Sequence, residues 1–245
     1  MTTIIKFIVG LFIATMFTSC AFDMSFGQIR GNGNVQTENF NISEDFEGVH
    51  AANGWEVFIE KGTTNSVVVE ADQNIIDAAE IYVSDDILKI KCDQNIGRAS
   101  SKKVYITYTE DLRDLRASSG ANLTTKEVLK GETLNLDVSS GGHLRVEAIV
   151  RNIDAEVSSG GVISVAGSTA MLDAKVSSGG LIKAKDLKAK DAKARASSGG
   201  NMNIQVTDNL EARASSGGDI DYWGNPKNVD KPKKSSSGGS VDARD

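Results

Sequence analysis

The sequence is poor in the residues that most enzyme chemistry needs. Its 245 residues include two cysteines, two histidines and two prolines, and aromatics make up 6%. So few cysteines cannot build a disulfide framework, and with only two histidines little material is left for a zinc site. Two prolines among 24 glycines exclude a collagen-like chain. No basic block occurs, and 27 Lys and Arg against 33 Asp and Glu leave a net charge of −6. That balance argues against nucleic acid as a partner. What remains is 40% apolar and 24% charged, the composition of a folded chain with a core. All aromatics except Tyr222 and Trp223 precede residue 110, which suggests two sections of different build.

Long hydrophobic runs are equally scarce. One stands out, Phe7–Phe17 after Lys6, too short to span a bilayer comfortably but suited to the apolar core of a secretory signal. It ends at Thr18-Ser19-Cys20, which resembles the bacterial lipobox. The expectation is a signal peptide over residues 1–19, with Cys20 lipidated as the mature N-terminus and residues 20–30 forming a tether. Three acyl chains at about 0.8 kcal/mol per buried CH₂ would anchor the chain durably. Cys92 would then be the one free thiol of the mature protein. In Ile87-Leu-Lys-Ile-Lys-Cys92 it alternates with lysines, as a strand residue does.

A repeat organises the second half. Ser-Ser-Gly begins at residues 118, 139, 158, 177, 197, 215 and 236, just under 20 residues apart on average, and all copies but the first continue with a second glycine. Around the motif, apolar and polar residues alternate. Leu144, Ile163, Ile182, Met202, Ile220 and Val241 form one column, and Leu134, Leu136 and Val138 alternate with Asn135 and Asp137. Period-two alternation marks strands with one buried face. A unit of ~20 residues that returns to the same column calls for a coil stacking each rung on the last. The fold class is therefore all-β, a parallel β-helix (β-solenoid) with ~20-residue rungs. Rungs about 4.8 Å apart would make the repeat roughly 29 Å long.

Lys183–Ala196 has the composition of a helix. It nevertheless divides at Asp186 and Asp191 into Ile182/Ala184, Leu187/Ala189 and Ala192/Ala194/Ala196, three short strands of a three-sided coil. The Ser-Ser-Gly-Gly corners read as structural: glycine for positive φ, serine for hydrogen bonds between rungs. A calcium-binding β-roll would need an aspartate column after the glycines. His143, Val162, Leu181, Asn201, Asp219 and Ser240 stand there instead. Residues 31–117 read as further strands with longer connections, with Ala52-Asn-Gly54 as a worn copy of the corner and Asp72–Glu80 able to form a helical turn. Residues 118–245 are the repeat section. Its end, residues 224–245, carries Pro226 and Pro232, with Lys231 and Lys233 in the inward columns, and reads as a cap against stacking into fibres. The span 31–245 is expected to form one continuous domain.

Gly31-Asn-Gly33, Phe46-Glu-Gly-Val49, the Ser-Ser-Gly corners and Tyr222-Trp-Gly-Asn-Pro226 together resemble the head GIN domain family of bacterial envelope proteins, also called auto-transporter adhesins. The resemblance covers residues 31–245 and implies a right-handed β-helix. It carries no catalytic residues, and nothing resembles a translocating barrel.

Function is then expected to be non-catalytic. The reading is a cell-envelope lipoprotein, outer-membrane anchored through its N-terminal lipid, presenting a binding or adhesion surface to a glycan or protein. A periplasmic scaffold or stress-sensing partner is the alternative. A polysaccharide lyase or hydrolase would need a set of acids and bases on one face. Asp154, Glu156 and Asp173 instead alternate with arginine and lysine as a solvated face does. No cofactor or metal is expected, His50 and His143 included. The one candidate binding patch is Asp219, Asp221 and Trp223, with Tyr222 turned inward and the indole of Trp223 exposed.

Overall fold

The computed structural model describes residues 27–42, 44–231 and 238–245; the signal segment, Cys20, Pro232 and Lys233 lie outside them. In chain order the elements are β1 (Gln28–Ile29), β2 (Val35–Phe40), β3 (Gly48–Ala51), β4 (Glu56–Lys61), β5 (Ser66–Asp72), α1 (Gln73–Ile76), β6 (Ala79–Ser84), β7 (Ile87–Cys92), β8 (Asn95–Ile96) and β9 (Lys102–Tyr108). There follow β10 (Asp114–Ala117), β11 (Asn122–Val138), β12 (His143–Val157), β13 (Val162–Val176), β14 (Leu181–Ala196), β15 (Asn201–Ala214), β16 (Asp219–Trp223), β17 (Asn228–Asp230) and β18 (Ser240–Ala243). From β10 onward each strand pairs in parallel with a neighbouring rung, the ladder of a β-solenoid.

The corner explains the repeat. At the first six corners the second serine and the first glycine both take positive φ, as in Ser140 at 50° and Gly141 at 71°. The second glycine serves another purpose: a Cβ on Gly142 would lie 2.4 Å from the carbonyl oxygen of Ala117 on the preceding rung, and one on Gly218 would lie 2.5 Å from that of Ala196. The motif thus joins one glycine for conformation to one for close approach. Rungs are stitched at the corner by backbone rather than hydroxyls, Gly141 N–H donating to Ser159 O (3.1 Å) and Gly160 N–H to Ser178 O (3.1 Å). The serine carbonyls, and not the side chains expected from the sequence, form this ladder.

Between corners the alternation holds. Lys183–Ala196 is strand, with Ile182, Ala184, Leu187, Ala189, Ala192, Ala194 and Ala196 buried and the phase slipping after Asp186 and Asp191. Two adjacent outward residues at each slip turn the chain onto the next side of the coil. One buried apolar cluster runs continuously from Phe46 to Tyr222. Full burial of each Leu, Ile or Val in it contributes roughly 1.5–3 kcal/mol.

The first section closes one end out of sequence order. β3 pairs with β10 above it and β7 below it, while β4 sits between β11 and β9. Residues 87–108 therefore form the bottom rung, beneath residues 48–61 that precede them. Antiparallel strands then cover its edge, β6 on β7, β5 on β9, and β2 on β5. Trp55 fills this section, fully buried, its Nε1 donating to Lys91 O at 3.0 Å. The Ala52-Asn-Gly54 corner is present, Asn53 and Gly54 both at positive φ. The helical turn α1 buries Ile75 and Ile76. At the head, Gly31 passes over the buried Asp72 carboxylate, which accepts from Ser100 N–H (2.9 Å).

The other end keeps the expected columns as far as Val241 but differs at Lys231. The coil continues past Trp223, β17 pairing with β15 and β18 with β16. Lys231 is not inward: it is exposed, its Nζ donating to Val241 O (2.9 Å) and lying 5.3 Å from the centre of the Tyr222 ring.

Candidate ligand-binding face

The strand that leaves each corner points alternate side chains outward, and parallel register aligns them across rungs. One outward column runs Glu56, Asn122, His143, Val162, Leu181, Asn201, Asp219 and Ser240. The neighbouring column runs Phe58, Thr124, Arg145, Ser164, Lys183, Asn203, Asp221 and Asp242. Most of these are hydrogen-bonding side chains at the rung spacing. Midway, an open recess of about 450 Å³ is lined by Asn122, Thr124, His143, Arg145, Val162 and Ser164.

Aromatic groups stand at both ends. Near the capped end Phe58 and Tyr105 stack with ring centres 5.6 Å apart, and Lys126 lies over Tyr105 while pairing with Glu60 (2.8 Å). At the far end stand the three residues singled out in the sequence. Asp219 and Asp221 are half-exposed on β16, and Trp223 follows two places on, also half-exposed. Tyr222 is turned in and buried. The face of the indole is covered by Lys185, its Nζ 4.5 Å from the ring centre.

Two members of this patch escaped the sequence reading. Asp242, on β18, joins Asp219 and Asp221 so that one carboxylate oxygen of each lies within 4.8 Å of the others. Column arithmetic could have found it, since Asp242 stands beside Asp221 in register. Lys185 had no such signal. The carboxylates are partly neutralised: Arg244 Nε donates to Asp221 (2.8 Å), and the Ser240 hydroxyl donates to Asp219. Arg244 is fully exposed, and its hydrogen bond to Asp221 raises its already high pKa.

The histidines sit apart from this patch. His143 is exposed beside the recess. His50, half-buried on β3, lies 3.0 Å from the Ser118 hydroxyl. Burial first, then Lys91 and Arg116, hold its pKa below the ordinary 6.5. On the opposite strand of the corner, Asp173 is paired with Arg195 (3.2 Å), as its alternating column suggested.

The family model for "Putative auto-transporter adhesin, head GIN domain" matches residues 45–226. The chain belongs to the head GIN domain family. Solved relatives share its fold. A "putative adhesin" from Bacteroides fragilis superposes with a TM-score of 0.78 at 16% identity, over 88% of this chain and 100% of that one. A "putative adhesin" from Parabacteroides merdae gives 0.68 at 22% identity, over 89% and 100%. A "Putative lipid binding protein" from Parabacteroides distasonis gives 0.66 at 19%, over 89% and 100%. Identities this low establish the shared fold and say nothing of a shared ligand. No curated protein matches the chain significantly. The family and two of these relatives are described as adhesins, and the third as a lipid binding protein.

Proposed function

We propose that this chain is a lipoprotein anchored in the outer membrane through Cys20, and that its solenoid holds an extended glycan along the face following the corners. The observation that carries the reading is the arrangement of that face: aromatic rings at both ends and hydrogen-bonding side chains between them, around a recess of about 450 Å³. Sugar recognition needs this combination, since pyranose rings offer apolar faces to aromatics and hydroxyls to amides and carboxylates. Asn122, Thr124, Ser164 and Asn203 can donate and accept, while Asp219 and Asp221 accept from hydroxyls. Lys185 must swing aside for a sugar to reach the indole of Trp223. The envelope address is supported by the apolar run before Thr18-Ser19-Cys20.

Two experiments test it. In glycan-array or calorimetric binding, Trp223→Ala weakens the interaction with any carbohydrate bound by the parent, with melting temperature nearly unchanged because the indole is only half-buried. Equal affinity in both removes the patch. Protease shaving of intact cells, with Cys20→Ser as control, tests the address. Loss of the protein while a periplasmic marker survives places the rod outside; survival until the outer membrane is permeabilised favours a periplasmic scaffold.

A further inference from the structure

A second side of the coil, remote in sequence from the corners, has a different chemistry. Parallel register stacks Lys130, Ile149, Ser168 and Lys188 in one outward column. Arg151, Ala170 and Lys190 lie beside it, and with Ile149, Ser168 and Lys188 they line an open recess of about 500 Å³. Apolar residues face out here: Ile149, in an outward place of the alternation, is 51% exposed, and Met171, at the corner bordering this side in register with Asn152 and Asp191, is 36% exposed.

The charges on this side are unusual for a chain of net −6. Among the described residues, no ion pair or side-chain hydrogen bond engages the head groups of Lys130, Arg151, Lys188 or Lys190. Of the nearby carboxylates, Asp208 is paired with Lys227 (2.6 Å) and Asp191 accepts from the Asn209 amide, while Glu147 and Asp186, two places before Ile149 and Lys188 on their strands, and Glu132 at the far rung are outnumbered by the four cations. Free cations ringing exposed apolar side chains on a flat sheet complement a surface that is anionic outside and apolar beneath.

We propose that this side is a membrane-docking face that seats an anionic phospholipid headgroup. Arg151, Lys188 and Lys190 converge on the phosphate, the Ser168 hydroxyl donates to it, and Ile149 and Met171 enter the boundary between headgroups and acyl chains. A soluble phosphate would use the cations and leave the apolar pair without purpose. An anionic bilayer uses both. The inference is independent of the glycan reading, which concerns another side of the coil.

The test is co-sedimentation of the chain from residue 21 onward, which contains every described element and lacks the lipid, with two kinds of vesicle. It should bind phosphatidylcholine vesicles doped with phosphatidylglycerol and ignore phosphatidylcholine alone. Each cation at such a surface is worth roughly fivefold in affinity. The combined variant R151E/K188E/K190E should therefore lose about a hundredfold or more. Ile149→Ala with Met171→Ala should lose several-fold with all charges intact. Unchanged circular dichroism shows that each variant is folded. Failure to bind doped vesicles, or equal binding by the charge-reversed variant, overturns the proposal. So does an equal loss from Lys175→Glu on the neighbouring side, or release from vesicles by inorganic phosphate at constant ionic strength, which would mark a soluble-anion site.

Discussion

The two glycines of one corner should respond differently to the same methyl group. Gly141 sits at φ 71° with no atom within 4 Å of where its Cβ would be. Gly141→Ala therefore costs only the left-handed backbone, about 1–2 kcal/mol, a penalty its neighbour Ser140 already sustains at φ 50°. Gly142 lacks positive φ, but its Cβ would come 2.4 Å from Ala117 O, 2.7 Å from Ala117 C and 3.0 Å from Ser118 N. All three are backbone atoms, so no side chain can rotate away. The rungs must part locally, stretching the bonds Ser139 N–H to Ala117 O (3.1 Å) and His143 N–H to Ala121 O (2.8 Å). Two ladder bonds at about 0.5–1.5 kcal/mol each, added to packing strain of about 1–3 kcal/mol, give a total of roughly 2–6 kcal/mol, centred on about 4. At about 2–4 °C per kcal/mol for a chain of this size, Gly142→Ala should lower the melting temperature by about 12 °C from the centre of its range, and Gly141→Ala by about 2–8 °C. Thermal and urea unfolding followed by circular dichroism measure both. Equal losses, or a larger loss at Gly141, would refute the assignment of the second glycine to close approach.

Three other outcomes follow from the capped end. Trp55→Ala empties the largest fully buried side chain and leaves the Lys91 carbonyl without its donor, and should cost about 3–5 kcal/mol in urea unfolding. His50 resists protonation in the fold because its pKa is lowered. Its contribution is thus complete above the ordinary value of 6.5 and declines as pH falls below that value towards the folded pKa. Melting temperature should drop across that acid window, and drop less in His50→Gln. The Cys92 thiol is buried, and burial pushes its pKa up. It should ignore a thiol reagent at neutral pH until denaturant is added; prompt labelling of the native chain would show that β6 and β7 open readily.

Legibility in the sequence followed the physics of each feature. The corners and columns were readable because a stacked coil repeats its environment every rung, so the same demand recurs in the same place. That is why Lys183–Ala196, helical by composition, could be assigned to strands by phase alone. The order of rungs in the first section was not readable. Ile87–Cys92 alternates whichever strand lies next to it, and nothing in its period says that it stacks beneath β3, which precedes it. At the end of the chain the Val241 column was readable, β18 adding one more strand on β16, whereas Lys231, placed inward by its column, is exposed. In the candidate patch, Trp223, Asp219 and Asp221 lay where the columns placed them, with Tyr222 inward. Lys185 closes over the indole from two rungs away, through the reach of a long side chain that no column records. The exposed Ile149 is an apolar residue in an outward place: the alternation that buries Leu144, Val146, Ala148 and Val150 turns it to solvent with Arg145, Glu147 and Arg151.

The out-of-order bottom rung bears on how the chain is made. A chain made from its N-terminus offers residues 48–61 first, then 87–108 with their covering strands, and only afterwards the rungs from 114 onward. The closed end can therefore be complete before any of the repeat has appeared. Every later rung meets a finished template and contacts little beyond the rung below. Assembly can keep pace with synthesis, and the number of later rungs can change in evolution without disturbing the seed on which they grow.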